Sequence, residues 1–219
     1  MPWKYREISG YGEKPRIVGA YEEVYPGGLL ILGGGRTVWE DYRKAKSLFN
    51  TEREYEIMCI NDIAGQFKAE TIQHIVSCHQ RLPKALSIMR KEKSMLEACL
   101  LHSSKPSPGL DFVWEKVSTN GGSSAMLAVK IAIAIGYNKI ILCGVPLDTS
   151  GHYFDPPVHK DNSSSWFDGA TRNVWKEFYR DNAFARDNVM FMSGTMQEIY
   201  HGEPTREWVY AKHSCCVSS

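Results

Sequence analysis

Apolar positions along the chain fall into two alternating kinds of block. Leu29 to Gly33, Tyr55 to Ile60, Ile72 to Ser77, Lys139 to Gly144 and Asn188 to Met192 are short, nearly continuous apolar runs, the pattern of strands buried on both faces. Val38 to Phe49, Ala125 to Ile135 and Gly169 to Ala185 instead space their apolar residues as helices do, and Met196 to Tyr200 predicts a shorter helix. Pro83 opens a further helix that runs to about Lys93. Ala98 to Leu101 and Phe112 to Trp114 read as short strands on either side of a turn-rich connector. Strand and helix alternate throughout, which predicts an α/β fold built on a single doubly wound, mostly parallel sheet. The reading is one domain over 1–219, with 1–26 a wrapping segment holding at most one short strand and 205–219 a polar tail.

The polar residues that interrupt this pattern gather at strand ends. The first strand runs into Gly33-Gly34-Gly35-Arg36, the second into Asn61-Asp62, and the third into His79. Asn120-Gly121-Gly122 is a turn, and Ser123 or Ser124 can cap the helix after it. Beyond Gly144 comes a loop with Asp148, His152, Tyr153, Asp155 and His159. Ligands of open α/β sheets lie in the crevice outside the carboxyl ends of the strands, and a helix N-terminus offers unpaired N–H groups to an anion. Tight packing of glycines and Asx turns account for the same residues without a ligand. The glycine run lacks the third glycine of the dinucleotide fingerprint and the G-K-S/T of a Walker loop.

Composition narrows the partners. Lys plus Arg at 26 against Asp plus Glu at 25 gives a net charge of +1 over 219 residues, so no global field draws in nucleic acid. The longest apolar run, near Ala125 to Ile135, is too short to span a bilayer, and MPWKYREISG has no signal-peptide core. Cys59, Cys78, Cys99 and Cys143 sit in apolar surroundings without a C-x-x-C pair, which predicts buried free thiols and a cytoplasmic setting.

Three blocks resemble a known family. L-G-G-G-R at 32–36, C-I-N-D at 59–62, and S-T-N-G-G-S-S with the later G-Y-N-K-I-I-L-C-G and Y-F-D resemble the bacterial CMP-sialic-acid-dependent sialyltransferases of Rossmann-like fold. They also resemble the wider superfamily that holds archaeal-type 6-hydroxymethylpterin diphosphokinases. Phage members of unassigned role resemble the chain at its end too, in V-M-F-M-S-G-T-M and G-E-P. The resemblance implies that Gly33, Gly34 and Gly35 approach a nucleotide phosphate or ribose; the Arg36 beside them can add charge to an anion site. It implies that Asn61, beside Asp62, bonds the nucleotide or donor. Thr119, Asn120, Gly121 and Ser123, with Gly122 in the same turn, would line the nucleotide pocket. Of the two tyrosines that steady the leaving phosphate in the family, Tyr153 matches the second and Leu147 stands where the first belongs. The family's general-base histidine lies in a motif ending His-Ser, which does not occur between Asp155 and Met190. His152 and His159 are the imidazoles in the right loop.

The implied partner is a nucleotide-activated small molecule, handled by a sialyltransferase-like, nucleotide-sugar-dependent glycosyltransferase. Two alternatives stay open: a diphosphate-transferring or hydrolysing enzyme on the same fold, and a phage accessory protein that binds a nucleotide ligand without turnover. The acidic and histidine residues of 148–161 match no common structural zinc spacing. Mg²⁺ enters only if a diphosphate is handled, through Asp148 or Asp155. The segment 156–168, with Trp166 and Phe167, has the length of a lid.

Overall fold

Leu29 to Leu32 have no accessible surface, because alternate residues of this strand pack into two separate cores. The structure is a computed structural model that describes residues 5–7, 16–18, 27–79, 99–107, 109–114, 123–148, 151–154, 169–200 and 202–211. Its strands are β1 (Tyr5–Glu7), β2 (Arg16–Val18), β3 (Gly28–Leu32), β4 (Tyr55–Ile60), β5 (His74–Val76), β6 (Leu100–Ser103), β7 (Phe112–Val113), β8 (Lys139–Cys143) and β9 (Val189–Phe191). Its helices, here numbered in order, are α1 (Val38–Lys46), α2 (Ser124–Ile135), α3 (Gly169–Asp181), α4 (Ala183–Asn188), α5 (Met196–Ile199) and α6 (Arg206–Tyr210).

Among the described residues these strands form one sheet in the order β2-β1-β7-β6-β5-β4-β3-β8-β9. The seven strands from β7 to β9 are parallel, and β1 and β2 add an antiparallel pair at the β7 edge. From β3 the chain first winds outward through β4 to β7, then returns to place β8 on the other side of β3. The order therefore reverses between β3 and β8, where a crevice opens at the carboxyl ends. Leu29, Ile31, Ile140 and Leu142 face the core that contains α2, while Leu30, Leu32, Ile141 and Cys143 face the core that contains α1. Burying each of these Leu or Ile side chains contributes roughly 1.5–3 kcal/mol. α2 has buried residues on most of its circumference because it lies flat on β3, β4 and β5. Gly136, at φ 103°, ends it in the left-handed region.

Some expected elements differ. The opening segment contributes two strands rather than one at most. The helix expected over Gly169 to Ala185 breaks at Asn182, whose side chain accepts from Ala185 N–H at 3.0 Å and caps α4. The polar tail expected from 205 begins with α6, which lays Trp208 and Val209 against the α1-side core. The helix expected at 83–93 and the 156–168 segment lie outside the described residues.

A buried polar chain crosses the strands beneath α2. Trp114 Nε1–H donates to His102 Nδ1 at 3.1 Å, and His102 Nε2 lies 3.0 Å from His74 Nδ1. His74 Nε2 is 2.8 Å from the Tyr137 hydroxyl, which donates to the Glu56 carboxylate. The indole can only donate and the carboxylate can only accept, so the hydrogen bonds of the chain run one way, from Trp114 to Glu56. Burial, and secondarily the neighbouring His74, holds His102 well below the ordinary imidazole range. The unfolded chain then takes a proton near pH 6.5 that the folded chain does not. Stability is fully present above that pH and is expected to fall below it, by up to about 1.4 kcal/mol per pH unit. Urea melts of wild type and His102→Gln between pH 7.5 and 5.5 check this. Equal slopes in the two proteins would remove His102 as the cause.

Candidate functional site

The loops after β3, β4, β5 and β8 and the start of α2 surround a cleft of about 190 Å³ at the reversal point. Gly33, Gly34, Gly35, Asn61, Asp62, Ser123 and His152 line it together. Arg36 is exposed and is not among the lining residues, though its backbone N–H donates to Gly151 O at 3.0 Å. Thr119, Asn120, Gly121, Gly122 and His159 lie outside the described residues. A larger hollow of about 560 Å³ opens at the opposite pole, among Gly28, Phe49, Lys139 and Tyr210. It sits at the strand starts, away from the crevice that α/β sheets use for ligands.

The glycine run is explained by close approach. A Cβ on Gly33 would lie 2.7 Å from Gly144 O, and one on Gly35 2.6 Å from the same oxygen and 2.7 Å from Pro146 Cδ. The loops after β3 and β8 are thus pressed backbone to backbone, joined by Gly33 N–H to Cys143 O (2.8 Å) and Gly35 N–H to Gly144 O (2.7 Å). The chain then folds back so that Tyr153 N–H donates to Gly34 O at 3.0 Å. His152 Nδ1 lies 3.1 Å from that same carbonyl oxygen. A ring nitrogen can meet a carbonyl only as a donor, so Nδ1 carries the proton and Nε2 is the basic nitrogen of the neutral ring. Tyr153 is not in the lining; its ring meets Trp39 edge-on at 6.1 Å, and burial, with the nearby Asp62 charge, raises its hydroxyl pKa.

The α1 end of the crevice already holds an anion. Asp41, 3% exposed, accepts from Thr37 Oγ1 (2.8 Å), Gly144 N–H (2.8 Å) and Ser193 Oγ (2.6 Å). Its carboxylate lies in the first turn of α1, where the helix dipole favours it. It ties together the loops that follow β3, β8 and β9. The α2 end differs. Ser123 Oγ caps Met126 N–H at 3.4 Å, and the first helical N–H groups, those of Ser124 and Ala125, have no acceptor within the helix. Both residues line the cleft.

Beside them, Asn61 Oδ1 accepts from Ser124 Oγ at 3.1 Å, which leaves the amide nitrogen as the group to donate to a ligand. Ser124 Oγ in turn accepts from Cys78 N–H at 3.1 Å. Among the described residues, Asn61 (φ 57°) and Leu147 (φ 49°) are the non-glycine positions in the left-handed region, and both line the cleft. Leu147 O accepts from Thr195 Oγ1 at 3.0 Å and Arg172 Nε at 3.3 Å, bonds that hold this costly conformation.

Sequence reasoning did not propose Asp41, Ser124, Phe154 or His79 as site residues. His79 had its signal, a polar group just past a strand end, and it lines the cleft. Asp41 had only an acidic first turn after Thr37. Among the described residues no three His, Cys, Asp or Glu side chains gather as a metal site, and no helix is long and apolar enough to cross a membrane.

No family model matches the chain, and no curated protein matches it in sequence. Among solved structures the chain is similar to the sialyltransferase CstII from Campylobacter jejuni, in complex with a substrate analogue, cytidine-5'-monophosphate. The TM-score is 0.53 at 12% identity, over 82% of this chain and 86% of that one. At this identity the likeness is one of fold. The chain has a Rossmann-like α/β fold, and its cleft lies where its own strand order reverses.

Proposed function

We propose that the chain is a nucleotide-sugar-dependent glycosyltransferase that moves a sugar from a CMP-activated donor to an acceptor hydroxyl. The observation that carries this reading is one cleft lined both by a helix N-terminus and by a histidine whose Nδ1 is bonded to the Gly34 carbonyl. The donor phosphate sits at the N-terminus of α2, where the Ser124 and Ala125 N–H groups and the helix dipole favour negative charge. The Asn61 amide donates to the nucleotide, and Asp62 on the same rim suits sugar hydroxyls better than phosphate. His152 Nε2 takes the acceptor's hydroxyl proton as the oxygen bonds to the anomeric carbon. The bond from that carbon to the phosphate oxygen breaks, and CMP leaves with the electron pair.

The rival reading, nucleotide binding without turnover, draws on Leu147. It places an apolar side chain in the lining where the resemblance asks for a tyrosine hydroxyl, while Tyr153 lies outside the lining. A thermal-shift panel of CMP, UDP, GDP, ATP, NAD and pterin, each with and without Mg²⁺, tests nucleotide use. CMP alone is expected to raise the melting temperature, by the equivalent of about 2.7 kcal/mol at a hundredfold excess over Kd. A response to pterin or ATP that depends on Mg²⁺ would favour the diphosphate chemistry instead. No response to any nucleotide would sink both.

A further inference from the structure

Phe154 is 60% exposed, yet it lines the cleft. The other large apolar residue exposed among the described ones is Tyr210, which uses its hydroxyl to accept from Asn50 Nδ2 at 2.7 Å. Phe154 has no such polar handle. Its ring lies parallel to that of His152, 3° between planes and 5.1 Å between centroids, and Tyr153 abuts it edge-on at 5.1 Å. The two backbone bonds from this loop to Gly34 and Arg36 hold the aromatic group in place without covering it. A phenyl ring open to water in a cleft lining, on a loop bonded to the strand-end glycines, is a surface prepared for a ligand.

The neighbour decides which part of the ligand. The Phe154 and His152 ring centroids are 5.1 Å apart, so a group whose hydroxyl meets the imidazole has the phenyl ring as its immediate neighbour. The phosphate-favouring N–H groups of α2 belong to other residues of the same lining, Ser124 and Ala125. We infer that Phe154 is the acceptor platform, its exposed ring packing against the apolar C–H face of a pyranose whose hydroxyl meets His152. This rests on the glycosyltransferase reading and adds a specificity-determining residue to it.

Saturation-transfer NMR on CMP-loaded wild type, Phe154→Ala and Phe154→Trp tests it. The probes are methyl β-galactoside, which has a continuous C–H face, and galactitol, which has the hydroxyls but no ring. Expected in wild type are strong signals from the H3, H4 and H5 protons of the galactoside and none from galactitol. Phe154→Ala should weaken galactoside binding about tenfold and Phe154→Trp should keep it, with the CMP thermal shift unchanged in all three. Galactoside signals indifferent to Phe154, or absent from CMP-loaded wild type, overturn the platform and leave the nucleotide reading standing. Cytosine H5 and H6 signals that depend on Phe154 likewise overturn it, since the ring would then serve the donor. A wild-type protein that does not respond to CMP overturns the underlying reading and this inference together.

Discussion

Asp41→Ala is expected to destabilise the protein by about 3–5 kcal/mol, more than any surface change near the cleft. One buried carboxylate oxygen accepts three hydrogen bonds, from a residue in its own turn and from two loops 103 and 152 residues away. Hydrogen bonds to a charged acceptor contribute about 1.5–3 kcal/mol each, and a buried donor left alone carries its full desolvation penalty. The Thr37 and Ser193 hydroxyls lie 2.8 Å apart and can re-pair with each other, which trims the loss. Gly144 N–H has no such substitute, and Gly144 is the residue against which Gly33 and Gly35 are pressed. Asp41→Asn keeps an acceptor oxygen without its charge and is expected to fall between alanine and wild type. Urea melts at pH 7 on the three proteins decide it. An alanine variant within about 1 kcal/mol of wild type would mean that water replaces the carboxylate and that the loops hold themselves.

Asp41 also marks the limit of what the sequence could tell. The strands β3, β4 and β8 were legible because strands buried on both faces read as nearly continuous apolar runs, and their short length between turn residues separates them from a buried helix. Helix α2 was legible for a related reason, since a helix pressed on a sheet buries most of its circumference. Helix α6 was not, because five residues are too few to show a period, and Arg206 and Glu207 beside Trp208 read as a tail. The break at Asn182 had a local signal, an N-cap residue, but apolar residues on both sides of it kept the helical rhythm.

In the cleft, residue types at strand ends pointed to Gly33, Gly34, Gly35, Asn61, Asp62, Ser123 and His152, and the topology brings all seven to one place. The physical reason for the glycines was not legible. A glycine run signals a turn, a phosphate cradle or a close approach equally well, and the approach of Gly144 is a long-range fact. Nor could sequence place the ring of Tyr153 against Trp39, or show that the α1 terminus is already filled by a carboxylate.

His152→Ala is expected to lower the turnover of a CMP-activated sugar donor by about 10²–10⁴, the range for a positioned general base. Gly34 O fixes Nδ1 as the protonated nitrogen, so the basic nitrogen is Nε2 on a ring that lines the cleft. Removal of the ring takes away the base, and it also takes away a bond that ties the loop to Gly34. A second variant separates these two effects. His152→Asn can offer its amide N–H to Gly34 O and keep the loop in place, yet it has no basic nitrogen. It should show the same loss of kcat with an unaltered CMP thermal shift. Tyr153→Phe keeps the ring that meets Trp39 and loses only the hydroxyl, so it is expected to turn over near the wild-type rate. A large loss there would instead return the hydroxyl to the leaving phosphate, as the Y-F-D resemblance implies. If His152→Asn and His152→Ala both retain turnover within about threefold, far below that range, the base is not on the described part of this loop and His159 becomes the imidazole to change.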